Sequence, residues 1–282
     1  DIWVEKFRKA LVEKYPNLTF APREASTVSV IEVAKAFKYK HKGILRTLLR
    51  GLTHFFTLQW TQLGELLRVV MGRSKDPFDF YEALIDFFQE RKLHPTFFFL
   101  LGDYNYYDQG LSYNNVRYKY LIKHIADYAI VSVLGSYDAT SREEILLKER
   151  ERMSNIINRP VRRFRANNNL LPLPELYQHL AATEFKEDYT MGYLSHIGFR
   201  AGTCTPYIFY DIRLEVQIPI VVHSFALHWQ HIDKQCTKET LYLIETIKQQ
   251  VADLKGDFIS IFSPEYLSKA PNRFSLYKKV VN

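Results

Sequence analysis

A chain of 282 residues with 47% hydrophobic and 24% charged residues can bury a large core and is ordinary for a soluble globular protein. Its net charge of +7 permits an anionic partner, but Lys and Arg are scattered through helical patterns without one long basic tract, which argues against nucleic acid. Two cysteines, Cys204 and Cys236, lack metal-type spacing, exclude a disulfide scaffold and fit a reducing, cytoplasmic setting; no run of about 20 apolar residues offers a membrane span.

The pattern predicts a helix over residues 2–15, stopped by Pro16, and a buried strand at 27–33 (TVSVIEV). From Lys38 to Met71 follows a largely helical, leucine-rich and aromatic stretch with Lys38, Lys40, Lys42, Arg46 and Arg50 and no acid between Glu32 and Glu65. It reads either as a packed insertion with a solvated basic face or as an amphipathic segment for an anionic membrane surface. A helix at 77–92 is expected with Asp76 as N-cap, then a strand at 95–101, a helix at 115–125 and a strand at 128–134. Ser141 and Glu144 have capping-box spacing for a helix at 142–157. A short strand at 161–165 leads to the helix PELYQHLAAT, and further strands are expected near 206–210, 217–222 and 257–262, with helices at 238–254 and 272–280.

Apolar strands alternating with amphipathic helices imply parallel pairing, and at least six of them in under 290 residues favour a closed or nearly closed α/β barrel. No internal repeat or flexible linker divides the chain. We expect a lead-in at residues 1–25, which leaves a missing upstream domain or targeting segment open because residue 1 is Asp, and a barrel over 26–282 with a basic helical insertion at 38–73.

In such barrels chemistry sits at the C-terminal ends of the strands. The candidates there are Glu32, Asp103, Tyr104, Ser136, Tyr137, Asp138, Arg165, Asn167–Asn169, Ser263 and Glu265, with Asp188, Arg200, Thr203, Cys204 and Thr205 from the loop 187–211. That loop, EDYTMGYLSHIGFRAGTCTPYIFYD, is punctuated by glycine yet rich in aromatic residues, so it reads as an ordered pocket-builder. No histidine falls at an expected strand end. His228 and His231 have helical metal spacing without a third ligand, and His196 with Cys204 makes only a weak thiolate–imidazole candidate. Phosphate-binding glycine loops are absent.

The segments VAKAFKYKHKGILRTLL, SKDPFD, PTFFFLLGDYNYYD, LPELY and EDYTMGYLSHIGFRAGTCTPYIFYD resemble the polysaccharide deacetylase (NodB-like carbohydrate esterase) family, in a branch found in surface-polysaccharide biosynthesis. The resemblance implies a distorted (β/α) TIM-like barrel with fewer than eight full units and a helical insertion after the first strand. In active members it implies a divalent metal, usually zinc, that activates water to remove an N-acetyl group from a sugar. The family's Asp-x-Asp pair corresponds here to Val30 and Glu32, its metal histidines to Leu134 and Asn167, and its late histidine to Ser263. One carboxylate cannot hold zinc, which needs about three protein ligands. The expectation is therefore a pseudoenzyme with no cofactor. Its pocket for a carbohydrate or glycolipid would be lined by Glu32, Asp103, Tyr137, Arg165, Asn167, Asp188, Tyr193 and Arg200, with Asp188 and Arg200 alternatively a buried ion pair that fixes the loop. Two other readings stand beside it: an active zinc hydrolase using Glu32, Asn167 and His223 or His228, and a membrane-surface scaffold with protein partners.

Overall fold

The computed structural model describes residues 1–234 and 237–281, so Cys236 lies outside the described residues. Among the described residues nine strands form one sheet in the order β6-β7-β5-β4-β3-β2-β1-β9-β8. They are β1 (Ser26–Val33), β2 (Thr96–Leu100), β3 (Ile130–Gly135), β4 (Arg163–Ala166), β5 (Glu187–Asp188), β6 (Tyr207–Asp211), β7 (Val216–Val222), β8 (Leu227–His228) and β9 (Asp257–Phe262). All neighbours run parallel except β6 and β7. That pair is an antiparallel hairpin, a departure from the expected parallel pairing. Only a short turn joins the two strands, and there the Asp211 carboxylate accepts the amides of Arg213 and Leu214.

The period-2 alternation of the strands builds two apolar layers. Inward side chains Val30, Phe98, Leu100, Leu134, Ile259 and Ile261 fill the barrel with Tyr189 and Phe225. Outward ones such as Ile31, Phe97, Phe99, Val133 and Phe262 meet the surrounding helices. The barrel closes through one bent segment, Val216–His228. Its first half pairs with β5 and its continuation, through His223 N to Asp188 O and Phe225 N to Met191 O. Its end then pairs with β9, through Ala226 N to Ile259 O and the β8 register. Both β5 and β8 have two residues, too short for any periodicity to announce them.

Among the described residues the α-helices are α1 (Ile2–Lys14), α2 (Ile44–Phe56), α3 (Trp60–Val70), α4 (Tyr81–Arg91), α5 (Val116–Ala126), α6 (Glu143–Ile157), α7 (Glu175–Ala182), α8 (Trp229–Lys234), α9 (Lys238–Asp253), α10 (Pro264–Leu267) and α11 (Pro271–Val281), with single 3-10 turns at Asp138–Thr140 and Asn167–Asn169. Two expectations, on Asp76 and on Ser141, need correction. Asp76 does not cap the helix after it, which starts at Tyr81. Its carboxylate instead accepts the backbone amides of Lys38, Tyr39, Lys40 and Phe78 and so clamps the base of the insertion. The insertion is two helices, because Leu58 takes a left-handed backbone (φ 57) between them. Ser141 forms no capping box, since Arg142 is the N-cap of α6 and the Ser141 hydroxyl bonds the Asp138 carbonyl.

Candidate functional site

Glu32 continues the inward parity of Val28 and Val30 to the C-terminal end of β1, and three strands away along the sheet Arg165 of β4 stands beside Leu134 of β3. The two charged residues therefore meet at the top of the filled barrel. There they line a cavity of about 190 Å³ with Lys35, Tyr107, Gln109, Asn167–Asn169, His228, Trp229, Gln230, Ser263 and Glu265.

The Glu32 carboxylate is fully engaged. Arg165 Nε donates to Oε2 at 3.0 Å, and Nη2 lies 3.0 Å from the same oxygen without hydrogen-bond alignment. Trp229 Nε1 donates to Oε1 at 2.6 Å and His228 Nε2 lies 3.1 Å from it. His228 Nδ1 accepts the Gln230 amide, so the ring proton sits on Nε2 and points at Glu32. Burial pushes the His228 pKa down against the pull of Glu32, which favours the neutral ring. Burial alone would raise the Glu32 pKa, but the Arg165 charge and the hydrogen bonds from His228 and Trp229 outweigh it and hold the carboxyl well below the usual range. Arg165 is itself fully buried, with Nη1 donating to the Tyr189 carbonyl at 2.8 Å and the guanidinium 5.0 Å from the Phe225 ring.

The other family-equivalent positions are likewise committed elsewhere. Val30 and Leu134 are completely buried in the apolar barrel interior. Asn167 donates its amide to Asp108 at 2.9 Å. Ser263 caps α10 by accepting the Tyr266 amide. Among the described residues no three His, Cys, Asp or Glu side chains converge as a metal would require. The oxygens of Glu32 already face four donor nitrogens, so the residues present do not fit zinc.

Of the remaining expected pocket residues, Tyr137 stands behind the cavity wall, stacked on Tyr107 with ring centroids 4.1 Å apart. Asp103 turns outward to Arg152 and Lys148. Asp188 is buried and accepts the Tyr177 hydroxyl, the Thr190 hydroxyl and the Thr190 amide. Its pKa is raised by burial, which those hydrogen bonds only partly offset. Arg200 and Tyr193 are exposed, and neither lines the cavity. The Asp188–Arg200 ion pair is not formed, because local hydrogen bonds satisfy Asp188 before a long side chain could reach it. Cys204 bonds Asp1 through its amide and thiol, and His196 pairs with the Ser195 hydroxyl, so no thiolate–imidazole pair exists. His223 stacks on Tyr189 and approaches Glu187, away from the cavity.

Sequence reading missed two residues that shape this site and misplaced a third. His228 does end a strand, but β8 is too short to be recognised. Trp229 follows it, and its neighbours His228 and His231 in HWQH were the sole hint that the segment mattered. Asp108 is the hub of the loop after β2, accepting from Tyr137 N and the Asn167 and Asn105 amides, whereas expectation had settled on Asp103 nearer the strand.

No family model matches the sequence, and no curated protein matches it. Solved structures do. A protein from Mycobacterium smegmatis assigned as a polysaccharide deacetylase superposes with a TM-score of 0.57 at 14% identity, covering 94% of this chain and 85% of its own. A CE4-family pseudoenzyme from Bacillus anthracis gives a TM-score of 0.44 at 10% identity, covering 92% of this chain and 62% of its own. The first likeness establishes the distorted deacetylase-type barrel as the fold of this chain; the second is too distant to constrain the site.

Proposed function

We propose that this chain, built on the polysaccharide deacetylase barrel, is a noncatalytic member of that family whose cavity recognises a carbohydrate without hydrolysing it. The state of Glu32 carries this reading. A general base needs a free lone pair and a pKa near the working pH, whereas this carboxylate is surrounded by donors and held far below that range. The cavity around it keeps groups that suit sugar hydroxyls: the amides of Gln109, Asn168, Asn169 and Gln230, the amine of Lys35, and the faces of Tyr107 and Trp229. Its volume of about 190 Å³ suits one ring of a glycan or glycolipid better than an extended polymer. Such a protein would serve recognition or assembly in surface-polysaccharide machinery.

A second reading, a hydrolase with redrawn ligands, draws support from the placement of His228 within 3.1 Å of Glu32. It requires both residues and Asn167 to abandon their present partners. Purified protein assayed for zinc content and for acetate release from N-acetylated oligosaccharides separates the two. The expected result is glycan-dependent quenching of Trp229 fluorescence, absent in Trp229→Phe, with no acetate and no need for metal. Stoichiometric zinc with turnover abolished by Glu32→Ala would establish the hydrolase instead.

A further inference from the structure

Residues 38–75 hold eight of the 38 Lys and Arg and one of the 31 Asp and Glu, so this segment accounts for the whole net charge of +7. The rest of the chain, with 30 bases and 30 acids, is neutral. The single acid, Glu65, is consumed locally by Lys38 Nζ at 2.6 Å and the Tyr39 hydroxyl at 2.8 Å. A protein of this size that places all its excess charge on one hairpin has a directional electrostatic field.

The same hairpin carries an uncovered apolar surface. On α2 the apolar residues 44, 45, 48, 49, 52, 55 and 56 recur at helical spacing, yet no residue of the helix is buried. Ile44 is 82% exposed and Phe56 77%. Phe55 meets Trp60 edge-on at 5.4 Å, which carries the patch towards α3, where Leu67, Val70 and Met71 are exposed while Leu66 and Val69 turn inward. Soluble monomers rarely leave so continuous a stripe in water. Along the flank of α2 facing the barrel, Lys42, Arg46 and Arg50 line a groove with Tyr104. Arg46 lies 3.7 Å over the Tyr104 ring and Arg50 donates to the Lys38 carbonyl. Among the described residues no carboxylate pairs with any of the three. Burial, reinforced by the charges of Arg50 and Lys35, pushes the Lys42 amine down to about 8.

We propose that the α2–α3 hairpin docks this protein on an anionic lipid bilayer, with the apolar stripe in the headgroup–acyl boundary and Lys42, Arg46 and Arg50 receiving lipid phosphates. An interfacial helix of this kind lies in the membrane plane with its apolar face about 5–10 Å deep. Charge selects the occupant. A second copy of the chain would set two strongly basic hairpins face to face, and a nucleic acid would neutralise the cations while leaving the stripe in water. Gln109 borders both this groove and the candidate cavity, so docking brings the cavity mouth next to the lipid surface. The docking itself is independent of what the cavity binds.

Co-sedimentation of the protein with phosphatidylcholine vesicles, with and without phosphatidylglycerol, tests this directly. Binding is expected to the anionic vesicles and to weaken as salt rises. Replacing Arg46 and Arg50 by Gln should weaken it by about 30-fold. Leu45→Ser with Leu48→Ser and Leu52→Ser should weaken it by at least about tenfold. All five side chains are exposed, and the arginine variant gives up the Arg46–Tyr104 contact and the Arg50 bond to the Lys38 carbonyl, so thermal melts within a few degrees of the parent show that a loss of binding reports on the surface. Absence of binding to either vesicle overturns the proposal. So does equal binding by the leucine variant, or a self-association that the leucine variant abolishes.

Discussion

Glu149 lies within α6 under the loop after β3, with one carboxylate oxygen accepting the Ser136 amide at 3.1 Å and the other buried without a partner. Burial pushes its pKa up to about 7, against the pull of the Ser136 hydrogen bonds. The folded state therefore holds this proton more tightly than the unfolded chain, whose carboxyl titrates near 4.5. Stability from this group is full below about pH 4.5 and is lost as pH rises through about 7, a change of about 3 kcal/mol. Glu149→Gln removes that dependence. Urea unfolding should show the variant gaining on the parent between pH 5 and pH 8, and an equal difference at both pH values would refute the assignment.

The Glu32–Arg165 pair behaves differently because its partners are complete. Arg165→Met should cost about 3–5 kcal/mol by leaving the buried Glu32 carboxylate without its counter-charge, with only the Trp229 and His228 donors remaining. The double replacement Glu32→Leu with Arg165→Met should recover most of the loss, since no buried charge remains. Urea titrations of the three proteins measure the difference, and a double variant as unstable as the single one would contradict it.

At the scale of elements, one carboxylate clamps the base of the basic hairpin. Asp76 gathers three consecutive amides, Lys38 to Lys40, from the entry of the insertion. Asp76→Ala leaves those donors unpaired and should cost about 1–3 kcal/mol. The loss should appear as faster proteolysis within residues 40–75 while cleavage in the barrel stays slow. This clamp also shows what is legible in a sequence. Asp-Pro before an amphipathic run is a good helix-start signal, and the helix does follow; but the acceptor was claimed by amides 36 to 38 positions away, which no local rule can see. The alternating strands were legible for the converse reason, since β1, β2, β3 and β9 each run five or more residues with one face in the barrel and one under helices. The two-residue strands β5 and β8 were not legible, because their pairing comes entirely from neighbours already in place.

For the whole molecule, the bent segment Val216–His228 is the seam on which barrel closure depends. Its amides at Val221, His223, Phe225 and Ala226 bond the β5 side and then β9 in turn. Hydrogen exchange there should be as slow as global unfolding, while α2, with no buried residue, exchanges quickly. Fast exchange at Phe225 and Ala226 would mean that the barrel opens at this seam. The same closure makes the site. Arg165, His228 and Trp229 stand 133, 196 and 197 positions from Glu32 in the chain and converge on its carboxylate only when the seam is shut.

The sequence by itself determined the order of the longer strands and helices, the basic character of the insertion and the placement of Glu32 at the end of the first strand, because each of these is written in local periodicity and composition. The use made of Glu32 was decided only by the tertiary structure. A carboxylate's chemistry is set by the donors and charges around it, and here those arrive from distant strands and a helix start that no spacing along the chain reveals.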